Sequence, residues 1–243
     1  SPEFRDKEKN NYSFKDNIES HHFNRSEGIG SHNFSFKSCN SVGALGENAS
    51  DIKFLIKTNS FFNSLIQSNR VATSTIIAHT RWASVGKINI HNAHPVEYID
   101  ARDHKDKKKI SSILNGDIYN YKEIIEQSKK ENNFSLDTSI ITNDCVAIPA
   151  FLSSYEGFDF DRFSQIGHKF LGSFVIAVQN SSTPEDIFII KKGIQGLYLG
   201  FSYDGVMFAS DVYGLVETCR YFTPIDSDKA LILSSNRIGS YKD

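Results

Sequence analysis

The sequence predicts an α+β domain in which sheet and helix are layered. Four short apolar segments, at 174–178, 187–191, 197–201 and 206–209, are separated by turn residues, as antiparallel strands are. Helical spacing of apolar residues is concentrated in the middle of the chain instead, at 119–130, 144–154 and 159–170. Strands and helices grouped in blocks, without strict alternation, argue against a doubly wound parallel sheet. No internal repeat and no Pro/Gly/Ser-rich linker marks a second domain, and 243 residues are enough to bury a proper core.

In chain order, Ser1-Pro2-Glu3-Phe4 reads as an expression-vector scar. Residues 5–38 are rich in Asn, Ser, Lys and His, with scattered Phe. They read as a largely irregular polar arm with a short helix near 15–21. The domain proper is expected over 39–243. A short strand is expected at 41–45. Residues 51–57 alternate Ile52, Phe54, Leu55 and Ile56 closely enough for a strand, and 59–68 carry Phe61, Phe62, Leu65 and Ile66 at helical spacing. The apolar run 75–78 predicts a strand leading into Arg81-Trp82. The charge run 101–109 predicts a solvated loop or strand edge. A strand at 110–114 should end in the turn Asn115-Gly116-Asp117. The helix at 119–130 would present Tyr121, Ile124 and Ile125 on one face, and residues 132–139 form a loop with a short strand. Asn143 or Asp144 can cap the next helix, which Pro149 would distort. A short helix at 211–218 and a last strand at 230–233 complete the reading.

Composition excludes several function classes. A net charge of −2 and 23% charged residues give no basic excess for nucleic acid and no charged face for a membrane. The longest apolar runs are far below a membrane span, and no secretory apolar region stands near the start. Cys39, Cys145 and Cys219 make neither a metal spacing nor an even disulfide framework, so a reducing, cytoplasmic setting is expected.

The chemistry-bearing stretch is 76–96, IIAHTRWASVGKINIHNAHPV. Arg81 offers a bidentate fork for a carboxylate and Trp82 an adjoining wall. Asn115-Gly116 follows a buried-looking strand: the glycine lets a ligand approach the backbone, and its N–H with the Asn amide can donate to one oxyanion. A plain turn is the commoner use of Asn-Gly. Asp144 can grip an ammonium group or simply cap a helix, and His94 can be a base, a ligand or a hydrogen-bonded structural histidine. A ligand needing a carboxylate clamp, an ammonium clamp and an oxyanion hole is an amino acid with a side-chain amide, and glutamine fits.

Those segments carry a resemblance. AHTRWASVG…NAHPV is similar to the AHTRWATHG…NAHPH signature of glucosamine-6-phosphate synthases. LNGDIYNY and NDCVAI resemble the NGEIYNH and SDCEVI segments of asparagine synthetases, and GSFVIAV and FASDVYGLVETCR follow in the order found in both. The shared family is the class II glutamine amidotransferases, which are N-terminal-nucleophile hydrolases, and the match runs over about 41–233. The resemblance implies a four-layer αββα sandwich that hydrolyses glutamine and releases ammonia, with no metal or cofactor. Matched by motif, Arg81 would bind the glutamine α-carboxylate and Trp82 would line the pocket. Ser84 stands where the family has a substrate-touching threonine, and His94 matches the His of NAHP. Asn115 and Gly116 would form the oxyanion hole, and Asp144 would hold the α-amino group. Val85 departs from the family histidine.

The family also begins with a cysteine whose own α-amino group serves as base, and this chain does not. Two accounts are open. Cys39, in CNSVGAL, becomes the N-terminus after removal of a 38-residue propeptide; or 38–43 corresponds to the RGYDSAG segment that follows the nucleophile. The spacing to Arg81 suits the second better. The expected partners are glutamine and an acceptor domain of synthase or sugar-isomerase type, in a longer chain or a separate protein; a homo-oligomer is left open. The alternative is a degenerate domain that senses glutamine or serves as an interaction module.

Overall fold

The computed structural model of the protein describes residues 18–24, 30–41, 46–68, 74–81, 87–100, 108–132, 134, 136, 140–153 and 158–234. By their contacts these fall into two units, one within 1–72 and 88–93, the other within 73–87 and 94–243.

The first unit holds strands β1 (Ile18–Asn24) and β2 (Gly30–Phe36), paired antiparallel from Ile18↔Phe36 to Asn24↔Gly30. A hairpin therefore stands where the sequence predicts an irregular arm with a short helix. Two helices follow, α1 (Glu47–Thr58) and α2 (Ser60–Gln67). The rings of Phe34 and Phe36 pack edge-on against Phe62 at 5.1 and 5.6 Å between centroids, which explains the scattered aromatics of a polar segment.

The strand expected at 51–57 is helix α1. Ile52, Leu55 and Ile56 also sit at i, i+3 and i+4, so the short apolar run fits both periods. Local capping decides between them. Glu47 in the first turn and Lys57 in the last complement the helix dipole. The Asn59 side chain accepts from Phe62 N–H at 2.8 Å, capping α2. Asn63 Nδ2 donates to the carbonyls of Ile56, Lys57 and Asn59, which closes the end of α1. The strand expected at 41–45 lies almost wholly outside the described residues, and the loop at 132–139 lies largely outside them.

The second unit is built on a five-stranded antiparallel sheet. Its strands are β3 (Val96–Asp100), β4 (Lys108–Ile118), β5 (Gly172–Asn180), β6 (Asp186–Lys192) and, after three shorter strands, β10 (Lys229–Ser234), in the order β10-β6-β5-β4-β3. Helices α3 (Tyr121–Asn132), α4 (Ala147–Ser153), α5 (Phe160–Ser164) and α6 (Ile166–Lys169) cover one face. There Leu114, Ile118, Phe174, Ile176 and Phe188 pack with Ile124, Ile148, Phe151 and Phe163. The opposite face offers Ile113, Val175, Ala177, Ile187 and Ile189 to Leu197 and Phe208. Those two belong to the region of a second sheet, β8-β7-β9, formed by β7 (Tyr198–Phe201), β8 (Val206–Ala209) and β9 (Tyr221–Pro224). Side chains alternate between faces along each strand, so both faces of β5 and β6 are apolar and their sequences read as continuous apolar runs. The result is a layered α+β sandwich, as the sequence predicts.

Three expectations are corrected in this unit. Asn115-Gly116-Asp117 is not a turn: β4 pairs with β5 without interruption through Asn115↔Val175, Gly116↔Phe174 and Ile118↔Gly172. Residues 75–78 belong to no sheet ladder, although burial alternates along 74–81 as in a strand. Side chains anchor that segment instead. Thr75 Oγ1 donates to Pro184 O at 2.7 Å and accepts from Gln179 Nε2 at 2.8 Å, while Ile77 packs on the sheet. Pro149 lies in the first turn of α4, where its missing N–H costs no helical bond, and it does not break the helix.

Candidate active site

The candidate site residues Asn115 and Gly116 stand at the C-terminal end of β4. Period-two alternation puts Asn115 and Asp117 on the face that Ile113 shares, toward the second sheet, and Gly116 on the helix face. Gly116 has φ +108°, and a Cβ built there would lie 2.2 Å from Ser173 O and 2.9 Å from Phe174 Cα. Only glycine fits, and the packing of β4 on β5 demands it whether or not a ligand binds. Gln195 reaches the same spot, its Nε2 3.0 Å from that Cβ position, and its side chain is hydrogen-bonded by the Ser173 hydroxyl.

Asp144 opens a 3₁₀ turn, Asp144–Val146, ahead of α4, but it does not cap that turn. Its carboxylate Oδ2 accepts from Ile118 N–H at 2.8 Å, which ties it to the strand end that carries Asn115 and Gly116. Burial raises its pKa; the Ile118 N–H and its own backbone N–H oppose the rise, Asp117 adds to it, and Arg81 lowers it. A buried carboxylate beside a second one gains from any cation brought to it. The half-buried Arg81 guanidinium is pulled below its ordinary pKa by burial and held up by Asp144. An acidic and a basic group thus lie within each other's electrostatic field, as a site for a zwitterion requires.

Beneath them His94 Nδ1 meets His79 Nδ1 at 3.1 Å, with ring centroids 4.5 Å apart. Leu114 N–H is also directed at His94 Nδ1, at 3.5 Å. Burial, helped by Arg81, lowers His79 to about 4. His94 is therefore held in a structural hydrogen-bonded pair, one of the roles the sequence leaves open.

Cys145, next to Asp144, is sealed in the core. Burial pushes its thiol up to about 12, and Ser112 Oγ is its neighbour at 3.6 Å, so it is no nucleophile. Cys39 belongs to the first unit, and burial raises its thiol as well. Trp82 and Ser84 lie outside the described residues. Sequence reasoning passed over His79, Asp117 and Gln195. The signal for His79 was its place two residues before Arg81 in an alternating extended segment, and for Asp117 its adjacency to Gly116. Among the described residues no group of three His, Cys, Asp or Glu side chains could hold a metal ion.

A family model described as "Glutamine amidotransferase domain" matches residues 102–217, the span that contains Asn115, Gly116 and Asp144. Residues 102–217 are thus similar to glutamine amidotransferase domains. Its curated relatives include the glutamine–fructose-6-phosphate aminotransferases (isomerizing) of Clostridium acetobutylicum and Thermotoga maritima. The first is 29% identical over 73% of this chain and 28% of its own length. The second is 30% identical over 68% of this chain and 25% of its own. The matched stretch thus spans about a quarter of the length of these relatives. Among solved structures the chain is similar to the glutamine phosphoribosylpyrophosphate amidotransferase of B. subtilis, with TM-score 0.52, 13% identity, and 65% of this chain and 32% of that one covered. A structure described as the allosteric regulatory enzyme of purine biosynthesis superposes with TM-score 0.53 at 16% identity over the same shares. Among the described residues, no helix is long and apolar enough to cross a membrane.

Proposed function

We propose that this domain binds L-glutamine at the end of β4 and, with a cysteine nucleophile in place, hydrolyses its side-chain amide to glutamate and ammonia. The observation that carries the reading is the Asp144–Ile118 hydrogen bond of 2.8 Å, which joins a carboxylate in the field of Arg81 to the strand bearing Asn115 and Gly116. Arg81 takes the α-carboxylate, and Asp144, with Asp117 beside it, takes the α-ammonium. The cysteine thiolate attacks the side-chain carbonyl carbon. Gly116 N–H and the Asn115 amide hold the oxyanion, each worth roughly 3–4 kcal/mol in comparable sites. The thiol proton passes through the α-amine of the N-terminal residue to the leaving nitrogen. Ammonia departs, a thioester remains, and water releases glutamate and restores the thiol. Trp82, Ser84 and His94 complete the pocket in this reading.

The ammonia goes to an acceptor domain of synthase or sugar-isomerase type, a reading supported by relatives of which the matched stretch covers only about a quarter. The three free cysteines support a reducing, cytoplasmic setting. A second reading, a glutamine-binding module without turnover, is favoured by one observation: Cys39 has its thiol raised by burial, whereas a nucleophile has it lowered.

Intact mass before and after a diazo-ketone mimic of glutamine that alkylates an N-terminal cysteine separates the two. A mass short of residues 1–38 with one adduct, both lost in Cys39→Ala, makes Cys39 the matured nucleophile. Full mass without adduct, together with glutamine binding by calorimetry, supports the module. No glutamine binding sinks both.

A further inference from the structure

The extended segment 74–81 turns alternate side chains inward: Thr75, Ile77, His79 and Arg81 are each less exposed than the residue before them. His79 and Arg81 therefore lie on one side of the segment, two residues apart, or roughly 7 Å along an extended chain. Across from them, His94 Nδ1 sits 3.1 Å from His79 Nδ1 and 3.5 Å from the N–H of Leu114, the residue before Asn115. A backbone N–H can only donate, so His94 Nδ1 is the acceptor of both contacts, and the proton between the rings belongs to His79 Nδ1.

We infer that this pair is a positioning device: His79, through His94, fixes the distance between the Arg81 clamp and the Asn115–Gly116 end of β4. The inference rests on the glutamine reading and names what sets that site's length. The backbone bonds no ladder partner along 75–78, so side chains locate this segment. Thr75 and Ile77 fix its start, and His79 is the last anchor before Arg81. A ligand held at three points, by Arg81, Asp144 and the Asn115–Gly116 donors, tolerates no shift of Arg81, whereas one held only by Arg81 and Asp144 can turn about Asp144, which Ile118 N–H fixes to the strand end, and follow it. His79 touches no reacting atom in this account. It acts through His94 and the strand.

The test compares L-glutamine with L-2-aminobutyrate, which has the α-carboxylate and α-ammonium but no side-chain carbonyl, titrated by amide chemical shifts. In His79→Leu, glutamine should weaken at least tenfold while 2-aminobutyrate stays within about twofold. His79→Asn places an amide N–H near the lost Nδ1–H, and it should recover glutamine affinity to within about threefold. Equal weakening of both ligands, an unchanged ratio, or an Asn variant as impaired as Leu overturns the inference. Nitrogen-15 histidine spectra of the unaltered protein test it without any variant: His79 should carry its proton on Nδ1 and His94 on Nε2, and the reverse pairing overturns it. Unaltered protein that binds no glutamine overturns the glutamine reading itself, an outcome distinct from an intact glutamine affinity in His79→Leu.

Discussion

Acid should find His79 before it finds the rest of the fold. The imidazole is mostly buried and held neutral, so it titrates near 4 when folded and near 6.5 in the unfolded chain. Between those pH values the unfolded state binds more protons, and stability falls as pH falls. The contribution is fully present above pH 6.5, drains away toward pH 4 and changes no further below that. By pH 4 the loss is about 3 kcal/mol, a large share of the stability of an ordinary domain. The perturbation is His79→Asn, which keeps a donor toward His94 but cannot take up a proton. Urea unfolding of both proteins at half-unit steps from pH 7.5 to 4 gives the difference in stability, in which the carboxylates common to both cancel. The unaltered protein should lose about 3 kcal/mol relative to the variant across that range. Parallel profiles would show that His79 is solvated enough to ionise freely, and the buried-pair geometry would be refuted.

Three further outcomes are expected. Arg81→Ala should abolish glutamine binding measured by calorimetry, because it removes the cation from the field of Asp144; unchanged affinity would take Arg81 out of the site. Gly116→Ala drives a methyl into the backbone of β5 at a positive φ and should cost about 3 kcal/mol or more, read from the urea midpoint. Lys109→Met leaves the carboxylate of Glu97, now 2.7 Å from Lys109 Nζ in the core, without its ammonium partner. It should cost about 3–5 kcal/mol by thermal unfolding, and adding Glu97→Leu should recover most of that.

That buried pair also explains what the sequence hid. Strand β3 reads VEYID, and a glutamate in its second position looks like solvent-facing polarity. In the fold Glu97 points at Lys109, the second residue of β4, which stands at the end of an apparent charge run. Two opposite charges that cancel across a ladder erase the apolar signal of both strand starts. Strands β5 and β6 were legible because both their faces are buried. Helix α1 was misread because its apolar spacing satisfies two periods, and the side chain that decides, Asn63, lies in the next helix. In the site, Asn115, Gly116, Arg81 and Asp144 could be picked out by residue type and order. The His79–His94 contact could not, since it depends on which ring nitrogen holds a proton.

Gly116 carries a consequence for how such chains drift. A methyl group there would strike the carbonyl oxygen of Ser173, so folding alone purges every replacement. Asp144 is likewise fastened to the backbone of Ile118 and shares in holding the strand end. In a lineage released from hydrolysing anything, these two letters would therefore decay last. Their presence is weak testimony to a living site, because the strand end needs both whatever it binds.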